Sequence, residues 1–221
     1  MSLFLDTFFP SVVKNIKTDE RILYLTFDDG PVPDITDAVL ETLKKYNAIA
    51  TFFCLGKNVD KHGDIFEKIS VDGHSIGNHS YNHPNGWKTK TKVYVDNVNK
   101  GQTVINERNK IDLKNNKPNI QSTINKPLFR PPYGKLTPRQ YYIFKSQYKI
   151  ILWDVPGNDW IENISADKRI EIVKEKTKNG SIIVLHDNAD FIHRMLPTLK
   201  FTLDYFTEKG YRFEGLNMID G

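Results

Sequence analysis

The first predicted strand of the chain is Ile22-Leu23-Tyr24-Leu25-Thr26-Phe27, and it is followed by Asp28-Asp29-Gly30-Pro31. The run predicts a buried strand, and the Gly-Pro pair predicts a turn directly after it. Neighbouring side chains of an extended segment diverge, so one carboxylate can bind a metal while the other faces water held there. Taken alone, an Asp-Asp-Gly sequence is more typical of an ordinary turn.

Apolar runs with strand character alternate with helical stretches along the rest of the chain. This alternation predicts parallel βα units, and the predicted fold class is α/β. Residues 106–126 are rich in Asn and Lys, which favours a solvated loop or insertion. We predict further strands over 48–55, 150–155, 181–185 and 211–216, and helices over 34–46, 58–70, 94–105, 137–146, 165–178 and 194–209.

Length and composition indicate an ordinary globular protein. The 221 residues fit one α/β barrel, so we predict a single catalytic domain over 1–221. The formal net charge of +4 is small and does not indicate a nucleic-acid partner. Cys54 is the only cysteine, which excludes an intrachain disulfide, and its apolar neighbours predict a packed thiol.

The sequence carries no recognisable targeting signal. Its opening residues lack the basic start and apolar run of a signal peptide, and no stretch approaches transmembrane length. As written, the chain is predicted to be cytoplasmic, or secreted or envelope-associated if a signal peptide was removed. Nothing in the sequence predicts an oligomeric state.

The segment His79-Ser80-Tyr81-Asn82-His83 spaces two imidazoles four residues apart. One helical turn would place both on the same face, suited to one divalent ion, although Pro84 limits how far such a helix runs. Two imidazoles and one carboxylate leave a position for water, whose acidity rises on zinc. Surface histidines reach this spacing by chance, so the weight of the motif comes from the upstream Asp pair.

Later segments carry further candidate groups. Arg130-Pro131-Pro132-Tyr133-Gly134 predicts a rigid turn, from which Arg130 could pair with a carboxylate and a backbone N–H near Tyr133 could stabilise an oxyanion. His186 closes the strand over 182–185 and can act as a general acid if Asp159 orients it. Taken alone, the Arg130–Gly134 segment would be interpreted as an ordinary loop and His186 as a structural histidine. The carboxyl ends of barrel strands surround the active site, so the groups are predicted to converge.

In this order, the motifs Thr26-Phe-Asp-Asp-Gly30, His79-Ser-x-x-His83, Arg130-Pro-Pro-Tyr-Gly134, Asp159-Trp160 and Leu185-His186 resemble those of the polysaccharide deacetylases of carbohydrate esterase family four. The resemblance implies a distorted (β/α) barrel and a divalent metal, usually zinc. It also implies hydrolysis of an acetamide on N-acetylglucosamine-type sugars, or sometimes of an acetyl ester. The same ligands could hold cobalt, nickel, manganese or iron.

The resemblance assigns a role to each matching position. Pro156-Gly157 stands where many members carry another Asp, which bears on substrate preference. The implied roles are catalytic base for Asp28 with Arg130 orienting it, metal ligand for Asp29, His79 and His83, general acid for His186 with Asp159 orienting it, oxyanion donor for the Tyr133 N–H, and wall of the acetyl pocket for Trp160 and Leu185.

Two other functions stay open at this point. A related amide hydrolase could act on a small non-glycan substrate, and an inactive barrel could bind sugar without chemistry. An inactive barrel predicts loss of a ligand, the base or the acid, and all are present, so we favour deacetylation of an N-acetylated glycan. No role is assigned to His62, His74, His193, Phe52-Phe53 or Tyr141-Tyr142, which are predicted to lie at the surface or in packing.

Overall fold

The computed structural model describes residues 9–114 and 126–216. Strands and helices alternate along these ranges, as the sequence predicts. The strands are β1 (Ile22–Asp28), β2 (Thr51–Cys54), β3 (Ser75–Asn78), β4 (Leu128–Phe129), β5 (Lys149–Ile150), β6 (Val155–Pro156), β7 (Ile182–His186) and β8 (Arg212–Phe213). The helices are α1 (Ile35–Lys45), α2 (Gly56–Lys61), α3 (Gly63–Val71), α4 (Thr91–Lys114), α5 (Pro138–Gln147), α6 (Ala166–Lys176) and α7 (Ile192–Glu208), with a 3₁₀ turn at Pro132–Gly134.

The strands form one parallel sheet in the order β5-β4-β3-β2-β1-β7-β6, with β8 paired to the start of β1. Strand β1 lies between β2 and β7, and all of its residues are buried. Burial on both faces explains why its sequence is an almost continuous apolar run. The curled sheet with its covering helices is a distorted (β/α) barrel, which confirms the predicted fold class.

Helices pack on the sheet to form the main core. Helix α7 contributes Leu199, Leu203 and Phe206, which are spaced three or four residues apart and therefore share one helix face. Within the sheet, Phe27 of β1 stacks on Phe52 of β2 with ring centroids 5.1 Å apart. This packing holds β1 and β2 in register, so their carboxyl ends lie at the same edge of the sheet.

Several predicted elements differ from the structure. The helix predicted over 58–70 is two helices, α2 and α3, and the strand predicted over 150–155 is two short strands, β5 and β6. Strands β3 and β4 were not predicted. Helix α4 continues to Lys114, so the predicted loop over 106–126 is wrong for residues 106–114. Residues 115–125 of that segment lie outside the described residues.

Other predictions concern burial and membrane insertion. Cys54 is fully buried, which confirms the predicted packed thiol, and burial together with the charges of Asp187 and Asp28 raises the pKa of that thiol. Neither of the described ranges holds a helix with the length and apolar character that a membrane span requires.

Candidate active site

The predicted site residues meet at the carboxyl edge of the sheet. Asp28 is the last residue of β1 and is the register partner of His186, the last residue of β7. His79 directly follows β3, and Arg130 directly follows β4. Because neighbouring strands lie about 4.8 Å apart, this register places the candidate base and the candidate acid side by side.

These strand ends open onto a cleft of about 550 Å³. The rings of Trp160 and Phe191 flank that of His186, with centroid distances of 5.0 and 5.8 Å. Leu185 is fully buried in the main core and is not among the residues that line this cleft, so its role as a wall of the acetyl pocket stays a prediction. The predicted residues that do line the cleft are Asp28, Asp29, His79, His83, Tyr133, Trp160 and His186.

Asp29, His79 and His83 form a group that could hold a metal ion. Their ligand atoms all lie within 4.8 Å of one another. Asp29 Oδ1 lies 3.7 Å from His79 Nε2 and 3.5 Å from His83 Nε2. Within the described ranges, this buried oxygen has no hydrogen-bond partner. A buried carboxylate oxygen facing two ring nitrogens is costly unless a cation joins them, so these residues fit a divalent metal.

The ring nitrogens of this group have the protonation that a metal ligand needs. His79 Nδ1 lies 2.7 Å from the Arg130 carbonyl oxygen, which can only accept, so Nδ1 carries the proton and Nε2 keeps its lone pair. Burial lowers the pKa of His79 to about 3, although the Asp29 carboxylate opposes this effect. Burial also lowers the pKa of His83. Both imidazoles are therefore neutral near pH 7.

The backbone between the two histidines is a loop and not the helical turn that would have placed both on one face. Ser80 and His83 adopt left-handed conformations with φ of 70° and 63°. The loop is held by hydrogen bonds from Ser80 N to Asn78 Oδ1 at 2.7 Å and from His83 N to Ser80 Oγ at 3.1 Å. Asp29 is also left-handed, with φ of 84°. Such sparsely populated backbone conformations cluster at functional sites, where surrounding contacts enforce them.

Asp28 is held by the fully buried Arg130. The guanidinium Nη1 donates to Asp28 Oδ1 at 2.7 Å, and also to Thr26 Oγ1 at 2.7 Å. Its carbon lies 4.2 Å above the Phe53 ring centroid. Burial lowers the pKa of Arg130, whereas Asp28 raises it. With Oδ1 fixed in this charge-assisted bond, Oδ2 is the oxygen left for a proton from the cleft.

His186 is paired with a buried carboxylate. Its Nδ1 lies 3.1 Å from Asp159 Oδ1, and Asp159 Oδ2 accepts the His186 backbone N–H at 2.7 Å. Burial disfavours the charged ring, but the hydrogen bond and charge of Asp159, with Asp28 and Asp29, outweigh it and raise the pKa of His186 to about 9. A protonated His186 therefore lies beside Asp28 with Nε2 directed away from Asp159.

Sequence reasoning missed residues that position the Asp pair. Asn188 Nδ2 donates to Asp29 Oδ2 at 3.0 Å, and Asn58 Nδ2 donates to the Asp29 carbonyl at 2.7 Å. Asn188 follows β7 directly after His186-Asp187, so the strand-end argument could have found it. Asn58 lies on α2, where no sequence pattern marks it.

Asp187 is a third missed residue and is fully buried. Its carboxylate accepts hydrogen bonds from Gly30 N at 3.0 Å and from Thr36 Oγ1 at 2.6 Å. Burial and the charge of Asp29 raise its pKa to about 8, although both hydrogen bonds oppose this. A Cβ at position 30 would collide with this carboxylate, which explains the glycine after the Asp pair.

A candidate base, a paired candidate acid and a group of possible metal ligands meet at the carboxyl edge of a curled parallel sheet. This arrangement defines the class of the protein as a hydrolase on a distorted (β/α) barrel. Residues 15–147 match the family model for polysaccharide deacetylases. The chain belongs to the polysaccharide deacetylase family.

Named relatives agree with this family. The chain is 33% identical over 198 residues to a peptidoglycan-N-acetylglucosamine deacetylase of Bacillus cereus, covering 86% of this chain and 64% of that protein. It is 30% identical over 179 residues to a chitooligosaccharide deacetylase of Azorhizobium caulinodans, covering 79% of this chain and 77% of the relative. The solved structure of the Bc1960 peptidoglycan N-acetylglucosamine deacetylase superposes with a TM-score of 0.81 at 27% identity, covering 98% of this chain and 95% of that chain.

Proposed function

We propose that the protein is a metal-dependent deacetylase that hydrolyses the acetamide of N-acetylated sugars, in peptidoglycan or chitooligosaccharides, with zinc as the metal. The observation that carries this proposal is the register pairing of Asp28 with His186 beside the Asp29-His79-His83 group in one cleft. The relatives, which are named as peptidoglycan and chitooligosaccharide deacetylases, support the substrate class. An inactive sugar-binding barrel is disfavoured because all proposed reactive groups are present together.

In the first half of the proposed reaction, Asp28 acts as the base. Its Oδ2 takes a proton from the attacking water, while Arg130 keeps Oδ1 in place through the 2.7 Å bond. Asp29, His79 and His83 would hold a divalent ion, which when bound would acidify the attacking water and polarise the acetyl carbonyl. The N–H of Tyr133, in the turn after Pro131 and Pro132, donates to the oxyanion that forms on that carbonyl.

In the second half of the proposed reaction, His186 acts as the general acid. Its Nε2–H gives a proton to the sugar nitrogen as the carbon–nitrogen bond breaks, so acetate and a free amine leave. Asp159 keeps the ring oriented and protonated through Nδ1. Trp160 and Phe191 exclude water from one side of His186, which strengthens each charged interaction in the cleft.

The experiment is acetate release from chitooligosaccharides and peptidoglycan fragments, with metal-stripped protein assayed before and after zinc is added. We expect acetate only with metal, a loss of roughly 100-fold or more in Asp28→Asn, and loss of calorimetric zinc binding in His79→Ala. His193→Ala, which removes an exposed histidine outside the cleft, is the matched control and should bind zinc normally.

The outcomes separate the parts of the proposal. Zinc binding without acetate from any sugar would refute the glycan substrate and direct the search to small amides. Failure of the wild-type protein to bind zinc or another divalent ion would refute the metal site. Acetate release that survives in Asp28→Asn would remove Asp28 from the role of base.

A further inference from the structure

Asn188 is the one hydrogen-bond donor to the side-chain oxygens of Asp29 among the described residues. Its Nδ2 donates to Asp29 Oδ2 at 3.0 Å, whereas Oδ1 of the same carboxylate has no hydrogen-bond partner there. Oδ1 instead faces His79 Nε2 at 3.7 Å and His83 Nε2 at 3.5 Å. The two oxygens of Asp29 therefore differ, because one is bonded to the protein and the other is directed towards the ring nitrogens.

The side-chain amide of Asn188 is held in one orientation. The backbone N–H of Asp190, which can only donate, bonds to Asn188 Oδ1 at 3.0 Å, so the NH2 end of the amide is the end that reaches Asp29. The Asn188 carbonyl accepts from Phe191 N at 3.1 Å, which closes the same turn. The donor to Asp29 is therefore in place before any metal binds.

The loop that carries Asn188 is hydrogen-bonded to the loop that carries Asp29. Asp187 N donates to the Asp28 carbonyl at 3.1 Å, and Gly30 N donates to Asp187 Oδ1 at 3.0 Å. These contacts lie on either side of Asp29, so they fix the separation of the two loops. Asn188 also borders the cleft that holds the possible metal ligands, which places its contact with Asp29 at the site itself.

We propose that Asn188 is a positioning residue that occupies Asp29 Oδ2, so that Asp29 offers a metal one oxygen and the site selects zinc over ions that prefer more oxygen ligands. This inference rests on the metal site of the proposed function. A carboxylate can bind a metal through one or both oxygens. Zinc suits a four-coordinate site with imidazole ligands, whereas manganese favours oxygen ligands in greater number. A donor on the second oxygen therefore favours zinc.

The test measures the binding of Zn²⁺ and Mn²⁺ by calorimetry to metal-stripped wild type and Asn188→Ser. The serine hydroxyl can still accept from Asp190 N, although more weakly, but it is too short to reach Asp29 Oδ2. We expect the Kd for zinc to rise roughly tenfold or more, which is the usual effect of removing a hydrogen-bond partner of a metal ligand. The Kd for manganese should change less, so the preference for zinc should fall.

Cobalt provides a spectroscopic readout of the same contact. Bound Co²⁺ absorbs visible light more strongly in a four-coordinate site than in a site with more ligands. Asn188→Ser leaves Oδ2 available as a second oxygen, so the absorption per bound ion should weaken. A spectrum identical to that of the wild type would count against the proposal.

Asn58→Ser is the matched control. Asn58 Nδ2 also donates to Asp29, but it bonds to the backbone carbonyl at 2.7 Å and not to the carboxylate. Losing this contact should weaken both ions alike and leave their ratio at the wild-type value. If both variants lower the preference for zinc to the same degree, or if Asn188→Ser leaves it unchanged, the inference is overturned.

These measurements use no sugar, so they separate the inference from the deacetylase function. A preference for zinc that depends on Asn188 supports the inference even if no acetate is ever released, and only the deacetylase function then fails. Zinc binding that is the same in the wild type and in Asn188→Ser overturns the inference and leaves the proposed metal site intact. A wild-type protein that binds no divalent ion overturns both.

Discussion

Replacing Asp159 by Asn should change the acidity of His186 more than any other property of the site. In the wild type, Asp159 outweighs burial and the pKa of His186 is raised to about 9. The gap from the ordinary 6.5 corresponds to roughly 3 kcal/mol in favour of the protonated ring in the folded protein. The Asn oxygen can accept from Nδ1–H in place of Oδ1, while its NH2 group then faces the His186 backbone N–H that Oδ2 accepts in the wild type. The variant therefore loses the charge and one hydrogen bond, and the ring stays buried.

We expect the pKa of His186 in Asp159→Asn to fall to 6.5 or below. At pH 8, the protonated fraction of the ring then falls from about 0.9 to about 0.03, so kcat/KM falls roughly thirtyfold if His186 is the acid. The free energy of unfolding also depends on the protonation of His186. The contribution of a raised His186 pKa is full below pH 6.5 and is lost as the pH rises through 9, and the variant should lack this fall.

The assay is NMR titration of the His186 ring in metal-free protein from pH 5 to 10, together with the pH dependence of kcat/KM after zinc is added. Asp190→Asn removes an exposed carboxylate from the same loop and is the matched control, with a His186 pKa near 9. A His186 that still titrates near 9 in Asp159→Asn would refute the account of this pair. So would a variant in which the pKa falls but the alkaline limb of kcat/KM does not move.

Two further predictions concern stability. Burial lowers the pKa of His74 to about 4, so its contribution to the free energy of unfolding should fall by about 3 kcal/mol as the pH drops from 6.5 towards 4. His74→Asn, whose Oδ1 can accept the Ala50 N–H in place of Nδ1, should reduce the loss of stability measured in urea titrations across this pH range. An unchanged pH dependence would contradict this prediction. Arg130→Met should destabilise the protein by about 3–5 kcal/mol, because it leaves the buried Asp28 without its partner. Adding Asp28→Asn should restore part of that loss, and a double variant no more stable than Arg130→Met would contradict the pairing.

The sequence predicted the parts of the fold that carry a local pattern. Strands β1 and β7 are buried on both faces, so their apolar runs are long enough to recognise. Strand β4 has two residues and β3 reads Ser-Ile-Gly-Asn, so neither has a pattern of its own. Both exist because a neighbouring strand pairs with them. The Phe53 ring leaves no room for a side chain at Gly77 of β3, and this contact exists only in the folded sheet.

The convergence of the main candidate residues at one edge of the sheet could be predicted from the sequence, but the backbone that carries them could not. The spacing of His79 and His83 would suit one helical turn, yet both reach Asp29 from a loop with left-handed residues. A four-residue spacing fits more than one backbone path, and the choice depends on hydrogen bonds that the sequence does not display. Asn58 illustrates the same limit, because its contact with the Asp29 carbonyl joins residues of separate elements.

The carboxylates around the cleft differ in how their negative charge is compensated. Asp28 is neutralised by Arg130 at 2.7 Å, and Asp159 by His186 at 3.1 Å. In each case one partner is fully buried, so neither carboxylate could lose its partner without a large desolvation cost. Asp29 differs, because among the described residues its Oδ1 is buried without a hydrogen bond and faces two neutral imidazoles. Asp187 also lies beside the site without a cationic partner, but Gly30 N and Thr36 Oγ1 donate to its two oxygens. Asp29 Oδ1 has no such donor among the described residues, so Asp29 and its two imidazoles fit a cation, as the proposed hydrolysis requires.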